Sequence, residues 1–214
     1  MAHARNDVWP IVHAERRRLV ADLRDLPIAQ WRTPSLCPGW DVHDVLAHLV
    51  DTARTGRLVF VRELLRARFN FDRANDTGVA REKRADPQDT VRALDAVVPL
   101  TRTPPANLAT RLVEAFVHSE DIRRPLGLTG TYPAGAVADA LAYQLRTPVS
   151  FGGGRERAAG LRLVDTSTGQ AWGEAGADVV EGAGIDLLLA VSGRAVPAER
   201  FTGRGAARLL GAAS

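Results

Sequence analysis

Glu114 and His118 lie four residues apart in a stretch, Ala109 to Arg123, whose pattern predicts a helix. Spacing of i, i+4 puts both side chains on one helical face, one turn apart. His48 lies in a second helical stretch beginning at Asp41, where Val42, Val45, Leu46 and Leu49 form an apolar stripe. If the two helices pack antiparallel, two imidazoles and a carboxylate converge inside a helical bundle. Such a set is the ligand complement of a catalytic zinc site with one coordination position left open. His48 is flanked by Ala47, Leu49 and Val50, and Glu114 by Val113, Ala115 and Phe116. A buried carboxylate without a partner is costly, and a metal shared with two neutral histidines satisfies it. A hydrogen-bonded Glu–His pair with no metal also satisfies it, and a solvated surface pair is a common fate of this spacing.

These residues need elements to hold them, and the first two-thirds of the chain reads as helical. Val8 to Leu26 predicts one helix, with Val12, Leu19, Val20, Leu23 and Leu26 inward and Arg16, Arg17 and Arg18 solvated. Pro34, Pro38 and Gly39 punctuate the next connection, and Asp41 suits the N-cap of the second helix. That helix is expected to reach about Ala67, followed by a polar link from Asn70 to Asp86. Pro87 suits position N1 of a third helix ending near Thr101. Pro104 and Pro105 open a fourth, which continues to Arg123 and stops at Pro125. Four helices with inward ligands on two of them make the bundle-core arrangement used for metal sites.

After Gly127 the pattern changes. Ala134 to Leu145 predicts a fifth helix, and Phe151 with the following Gly152, Gly153 and Gly154 reads as a flexible joint. Leu161 to Thr166 alternates like a strand, Ser167 to Gln170 is a turn, and Ala171 to Gly173 and Asp178 to Gly182 read as further strands before a helix from Ile185 to Val191. The expected organisation is a metal-binding four-helix bundle over 1–127, a helix and linker over 128–154, and a small α/β domain over 155–214. The glycine run lacks the spacing and downstream Lys of a P-loop.

The segment Ser35-Leu-Cys-Pro-Gly-Trp-Asp-Val-His-Asp-Val-Leu-Ala-His-Leu resembles the first signature of the mycothiol-dependent maleylpyruvate isomerase family, within the wider DinB-like group of metal-binding four-helix bundles. Glu114-x-x-x-His118-x-x-Asp121-Ile-Arg-Arg-Pro-Leu-Gly resembles its second signature. The resemblance implies a DinB-like bundle followed by a short, sterol-carrier-like α/β domain at the C-terminal end. It also implies a divalent metal, zinc by ligand type, held by His48, Glu114 and His118, with mycothiol as cosubstrate. Coordination deprotonates a thiol whose ordinary pKa is near 8.5. In the family's isomerisation that metal-bound thiolate adds to a conjugated cis double bond, rotation follows, and elimination returns the trans product. The fold and metal site also resemble thiol S-transferases that conjugate electrophiles. Asp121, three residues past His118, is expected either to orient a ligand from behind or to form a surface salt bridge with Arg124.

Other residues are weighed against this site. Arg111, Arg123 and Arg124 flank the second signature and suit a dicarboxylate substrate, although an Arg-rich chain also places such residues on a solvated face. Cys37, the only cysteine, excludes an intrachain disulfide and is expected to be a packed turn residue. His43 should face away from His48, and His13 should lie at the surface or cap a helix. Trp40 is expected to pack beside the turn.

Bulk properties bound the function classes. The 214 residues suffice for one large domain or two small ones, and 45% hydrophobic with 25% charged residues is ordinary soluble-protein composition. The pI of about 9.7 overstates the charge. The 28 basic residues include one lysine, Lys83, and the net charge is only +3. Without a basic stripe interleaved with aromatics, nucleic-acid binding is not expected. No apolar run spans a bilayer and the N-terminal residues lack a signal peptide's apolar core, so a cytoplasmic monomer or homodimer is expected, acting on a small electrophile. A non-catalytic bundle that carries or senses a metal or small ligand is the alternative function.

Overall fold

A computed structural model describes residues 5–211, with side chains described from Val8 onward. The opening residues read above for a signal peptide fall partly outside them. The chain divides into two compact units, Arg5–Gly130 and the residues from Thr131 onward.

In the first unit, α1 (Arg5–Leu23), α2 (Val42–Arg54), α5 (Pro87–Val97) and α6 (Thr110–Arg123) form the bundle, each of α1 and α2 packing against both α5 and α6. The core contains Leu19 and Leu23 of α1, Val45, Leu46, Leu49 and Val50 of α2, Leu94 of α5 and Ile122 of α6. Local signals set the ends. Asp41 caps α2 in a reciprocal box, accepting from the Asp44 N–H at 2.7 Å while the Asp44 carboxylate accepts from the Asp41 N–H at 3.1 Å. Asp86 caps α5 by accepting from the Gln88 N–H, with Pro87 at the first helical position.

Four expectations differ from the structure. The long second helix is two helices: extended backbone at Thr55 and Gly56 ends α2, and α3 (Arg57–Arg66) starts anew. The expected polar link contains α4 (Phe71–Glu82), capped by the Asn70 side chain, which accepts from the Arg73 N–H at 2.9 Å. Its polar sequence hides it, because only Gly78, Val79 and Glu82 are buried, and it packs extensively on α2. Gly78 makes room for the Asp51 carboxylate, which a Cβ at that position would displace. Arg16, expected in solvent, is 7% exposed and donates to the carbonyls of Val97, Val98 and Leu100. These lie at the C-terminal end of α5, where unpaired carbonyls and the helix dipole favour a cation. Pro104 and Pro105 precede α6 rather than open it, and Asn107 accepts from the Ala109 N–H at its entrance.

In the second unit, α7 (Ala134–Arg146) precedes a three-stranded sheet of order β2-β1-β3. β1 (Leu161–Asp165) pairs antiparallel with β2 (Ala171–Trp172) and parallel with β3 (Asp178–Gly182), so that Leu163 faces Trp172 on one side and Val180 on the other. Then α8 (Gly184–Val191) packs on α7 and β1, and α9 (Ala206–Gly211) packs on β3. Asp165 organises the β1 turn by accepting from the Ser167 N–H and hydroxyl, the Thr168 hydroxyl and the Gly184 N–H. The stretch 128–154 thus supplies α7 and the glycine run to this unit. The run is not a free joint: Gly153 and Gly154 are buried, and a Cβ at either would overlap the Thr147 or Val191 carbonyl.

Candidate functional site

The apolar stripe of α2 turns its other face toward α6, and there His48 and His118 meet. Their rings stack edge to face with centroids 4.8 Å apart. His48 is 6% exposed, and its Nδ1 is buried with no hydrogen-bond partner. The Ser35–Trp40 turn closes the other side: the Ser35 hydroxyl donates to the Trp40 carbonyl at 2.8 Å, and the Leu36 N–H donates to the Asp121 carbonyl on α6. This places the Trp40 indole 5.0 Å from the His48 ring, while the indole N–H donates to Asp76 of α4. The turn of the first signature therefore clamps the two signatures together. Cys37 is half-buried within it and packs on the bundle core, as expected of a turn residue.

Asp121 is fully buried, so the surface-bridge reading fails. Its Oδ2 lies 2.9 Å from His118 Nδ1. A carboxylate only accepts, so Nδ1 carries the proton of this hydrogen bond and Nε2 is the nitrogen left for another partner. A buried carboxylate on the far nitrogen is the usual support of a metal-ligating histidine. Arg124 instead donates to Glu120 at 2.7 Å.

Glu114 turns to Arg111, with 2.6 Å between Oε2 and the guanidinium. Burial opposes ionisation of Glu114, but Arg111 first, then His48, a Thr52 hydroxyl hydrogen bond and His118 outweigh it and hold the carboxyl below its usual range. Burial, then the neighbouring His118, depresses His48 to about 3. At neutral pH the site therefore offers a neutral imidazole and an ionised carboxylate, the protonation states a divalent cation requires. The orphaned His48 Nδ1, the Asp121-supported His118 and this donor chemistry fit a metal. A closed shell is not formed: among the described residues no three His, Cys, Asp or Glu side chains make a metal-holding group.

A cavity of about 230 Å³ opens beside His48 and Glu114, walled by Asp51 and Thr52 of α2, Phe60 and Leu64 of α3, Phe71 and Arg81 of α4, and Arg111 of α6. His118 is not among its lining residues. The sequence reading missed Asp51, Thr52 and Arg81. Asp51 and Thr52 were detectable in principle, lying three and four residues past His48 on the same face. Arg81 was not, because it arrives on the unrecognised α4, where it forms an ion pair with Asp51.

The flanking arginines separate. Arg111 reaches the cavity, whereas Arg123 is 1% exposed and paired with Glu15 and, at 2.7 Å, with Asp22 of α1. It holds the bundle together rather than facing a substrate. His43 bonds Thr90 at 2.8 Å, away from His48 as expected. His13 is half-buried beside Trp9.

Residues 12–103 match the family model described as the mycothiol maleylpyruvate isomerase N-terminal domain. Among solved structures, the mycothiol-dependent maleylpyruvate isomerase superposes with a TM-score of 0.66 at 16% identity, covering 94% of this chain and 93% of the other. A histidine-to-alanine variant of it gives 0.65 at 15% identity with the same coverage. The two-part fold expected from the sequence is thus the fold of that isomerase. No curated protein matches the sequence. Among the described residues no helix is long and apolar enough to cross a membrane.

Proposed function

With the chain resembling the mycothiol-dependent maleylpyruvate isomerases in its N-terminal region and in fold as the premise, we propose that it is a metal-dependent, mycothiol-using enzyme. Its reaction is cis–trans isomerisation of a maleylpyruvate-like substrate or transfer of the thiol to an electrophile. In this reading the bundle, residues 1–127, holds a divalent cation, zinc by donor type, on His48, Glu114 and His118. The observation that carries it is the buried meeting of His48 and His118, one nitrogen orphaned and the other ring braced by Asp121. When bound, such a cation lowers the pKa of a thiol and polarises a substrate oxygen.

The chain's own residues do the rest. Asp121 fixes the His118 tautomer and aims Nε2. Arg111 keeps Glu114 ionised until it is needed. Trp40 and Phe60 keep bulk water from the imidazole face and the cavity. At about 230 Å³ the cavity is smaller than the roughly 300–1,000 Å³ pockets that enclose drug-sized ligands, which suits a thiol arm and a compact electrophile.

The test is turnover by zinc-loaded protein with mycothiol and either maleylpyruvate or 1-chloro-2,4-dinitrobenzene. Mycothiol-dependent consumption of one of them, abolished in His48→Ala, is expected. Absence of both turnover and calorimetric mycothiol binding contradicts the enzyme reading. The second reading, a non-catalytic carrier or sensor bundle, is supported by the ion pair that already occupies Glu114.

A further inference from the structure

The larger opening lies outside the bundle. In the second unit a groove of about 440 Å³ runs between α7 and the sheet. Leu145, Leu163 and Trp172 give it an apolar lining, and Arg146, Arg155 and Glu174 also line it. Leu163 is 1% exposed, so the floor belongs to the core of the unit, while Trp172 is half-buried on the two-residue strand at the sheet edge. This volume falls within the range of small-molecule sites, roughly 300–1,000 Å³, and an apolar body with a few polar contacts is their usual lining.

The cations are not equivalent. Arg155 is engaged by Glu156, with 2.8 Å between guanidinium and carboxylate, and that same carboxylate accepts from the Val149 N–H. Arg146, at the last turn of α7, makes no hydrogen bond or ion pair among the described residues. An uncommitted planar guanidinium beside an indole and two leucines matches a ligand with a flat apolar body and one carboxylate, which the fork of Arg binds in two parallel hydrogen bonds. Glu174 disfavours a second negative group.

We propose that this groove is a second ligand site, separate from the bundle site and independent of its chemistry, that takes a monoanionic aromatic carboxylate stacked against Trp172 and anchored by Arg146. The probe is 2-naphthoate, with 2-naphthylmethanol as its neutral counterpart, titrated into the ¹⁵N-labelled full chain. The Trp172 indole N–H signal is identified by its loss in Trp172→Phe, and the signal of Trp40, whose indole packs on the His48 ring, reports the bundle site in the same spectrum. The expected result is a saturable shift at Trp172 with 2-naphthoate, weakened roughly tenfold or more for the alcohol and in Arg146→Ala. Because Arg146 is exposed, its substitution leaves the fold intact, which the rest of the spectrum checks. A shift confined to Trp40, equal affinity for acid and alcohol, or undiminished binding in Arg146→Ala overturns the proposal.

Discussion

The pairing of Asp121 with His118 joins a fully buried carboxylate to an imidazole that is itself mostly buried. Asn at position 121 keeps the size and one acceptor oxygen but removes the charge that makes Nε2 a better donor. Asp121→Asn should therefore weaken zinc binding by about 10- to 100-fold, read by competition with a chromophoric chelator, while the circular dichroism spectrum stays unchanged. Unaltered affinity would show that Asp121 only fills space. His48 supplies a second expectation. An unfolded histidine titrates near 6.5, and in the folded chain burial and His118 hold His48 down to about 3. Between those values the unfolded chain binds the extra proton, so His48 lowers stability as pH falls below 6.5 and leaves it untouched above. Burial, then Lys83, depresses His43 in the same direction. The urea midpoint of the metal-free protein should fall from pH 7 to pH 5, and fall less in His48→Gln. A flat profile would contradict the buried, neutral imidazole.

At the scale of elements, α1 and α6 are tied by charge as well as by packing. Arg123 bridges Glu15 and Asp22, and Glu15, 1% exposed, also receives Arg18 at 2.8 Å. Arg123→Ala removes one of the two partners of the buried Glu15 carboxylate, and breaking a buried pair costs about 3–5 kcal/mol. Arg18 still serves Glu15, so a loss of about 3 kcal/mol in chemical denaturation is expected; a loss under about 1 kcal/mol would place Arg123 among ordinary surface substitutions. These elements differed in how far the sequence revealed them. The apolar stripe of α2, with Asp41 at its start, and the start of α5 at Pro87 were legible because caps and core faces obey local rules, whereas the Asp86 cap of α5 lies in the stretch that reads as a link. α4 was not, because its low-propensity run of Asn75, Asp76, Thr77 and Gly78 is helical through contact with α2, and Gly78 reads as a breaker until the Asp51 carboxylate is seen against it. Arg16 was misread for a related reason: a run of three arginines looks solvated, and only the end of α5 shows where one of them goes.

At the scale of the molecule, the residues that converge between α2 and α6 were readable while the space around them was not. Two imidazoles and Asp121 follow from spacing and from the two signatures. The cavity wall, by contrast, is drawn from α3, α4 and α6, elements far apart in sequence or unrecognised in it. The same holds for the groove of the second unit, where Arg146 and Trp172, far apart in sequence, line one opening. A net charge of +3 spread over an Arg-rich chain supports small anionic ligands better than a polyanion.

The central claim, that the bundle binds a metal through its two histidines and Glu114, is tested most directly by metal content. Wild-type protein, His48→Ala and His118→Ala would each be loaded with zinc, desalted, and measured by plasma mass spectrometry alongside circular dichroism. One zinc per wild-type chain, lost from both variants with helicity retained, is the predicted result. A wild-type protein that keeps no metal after reconstitution, or variants that keep it in full, would contradict the account.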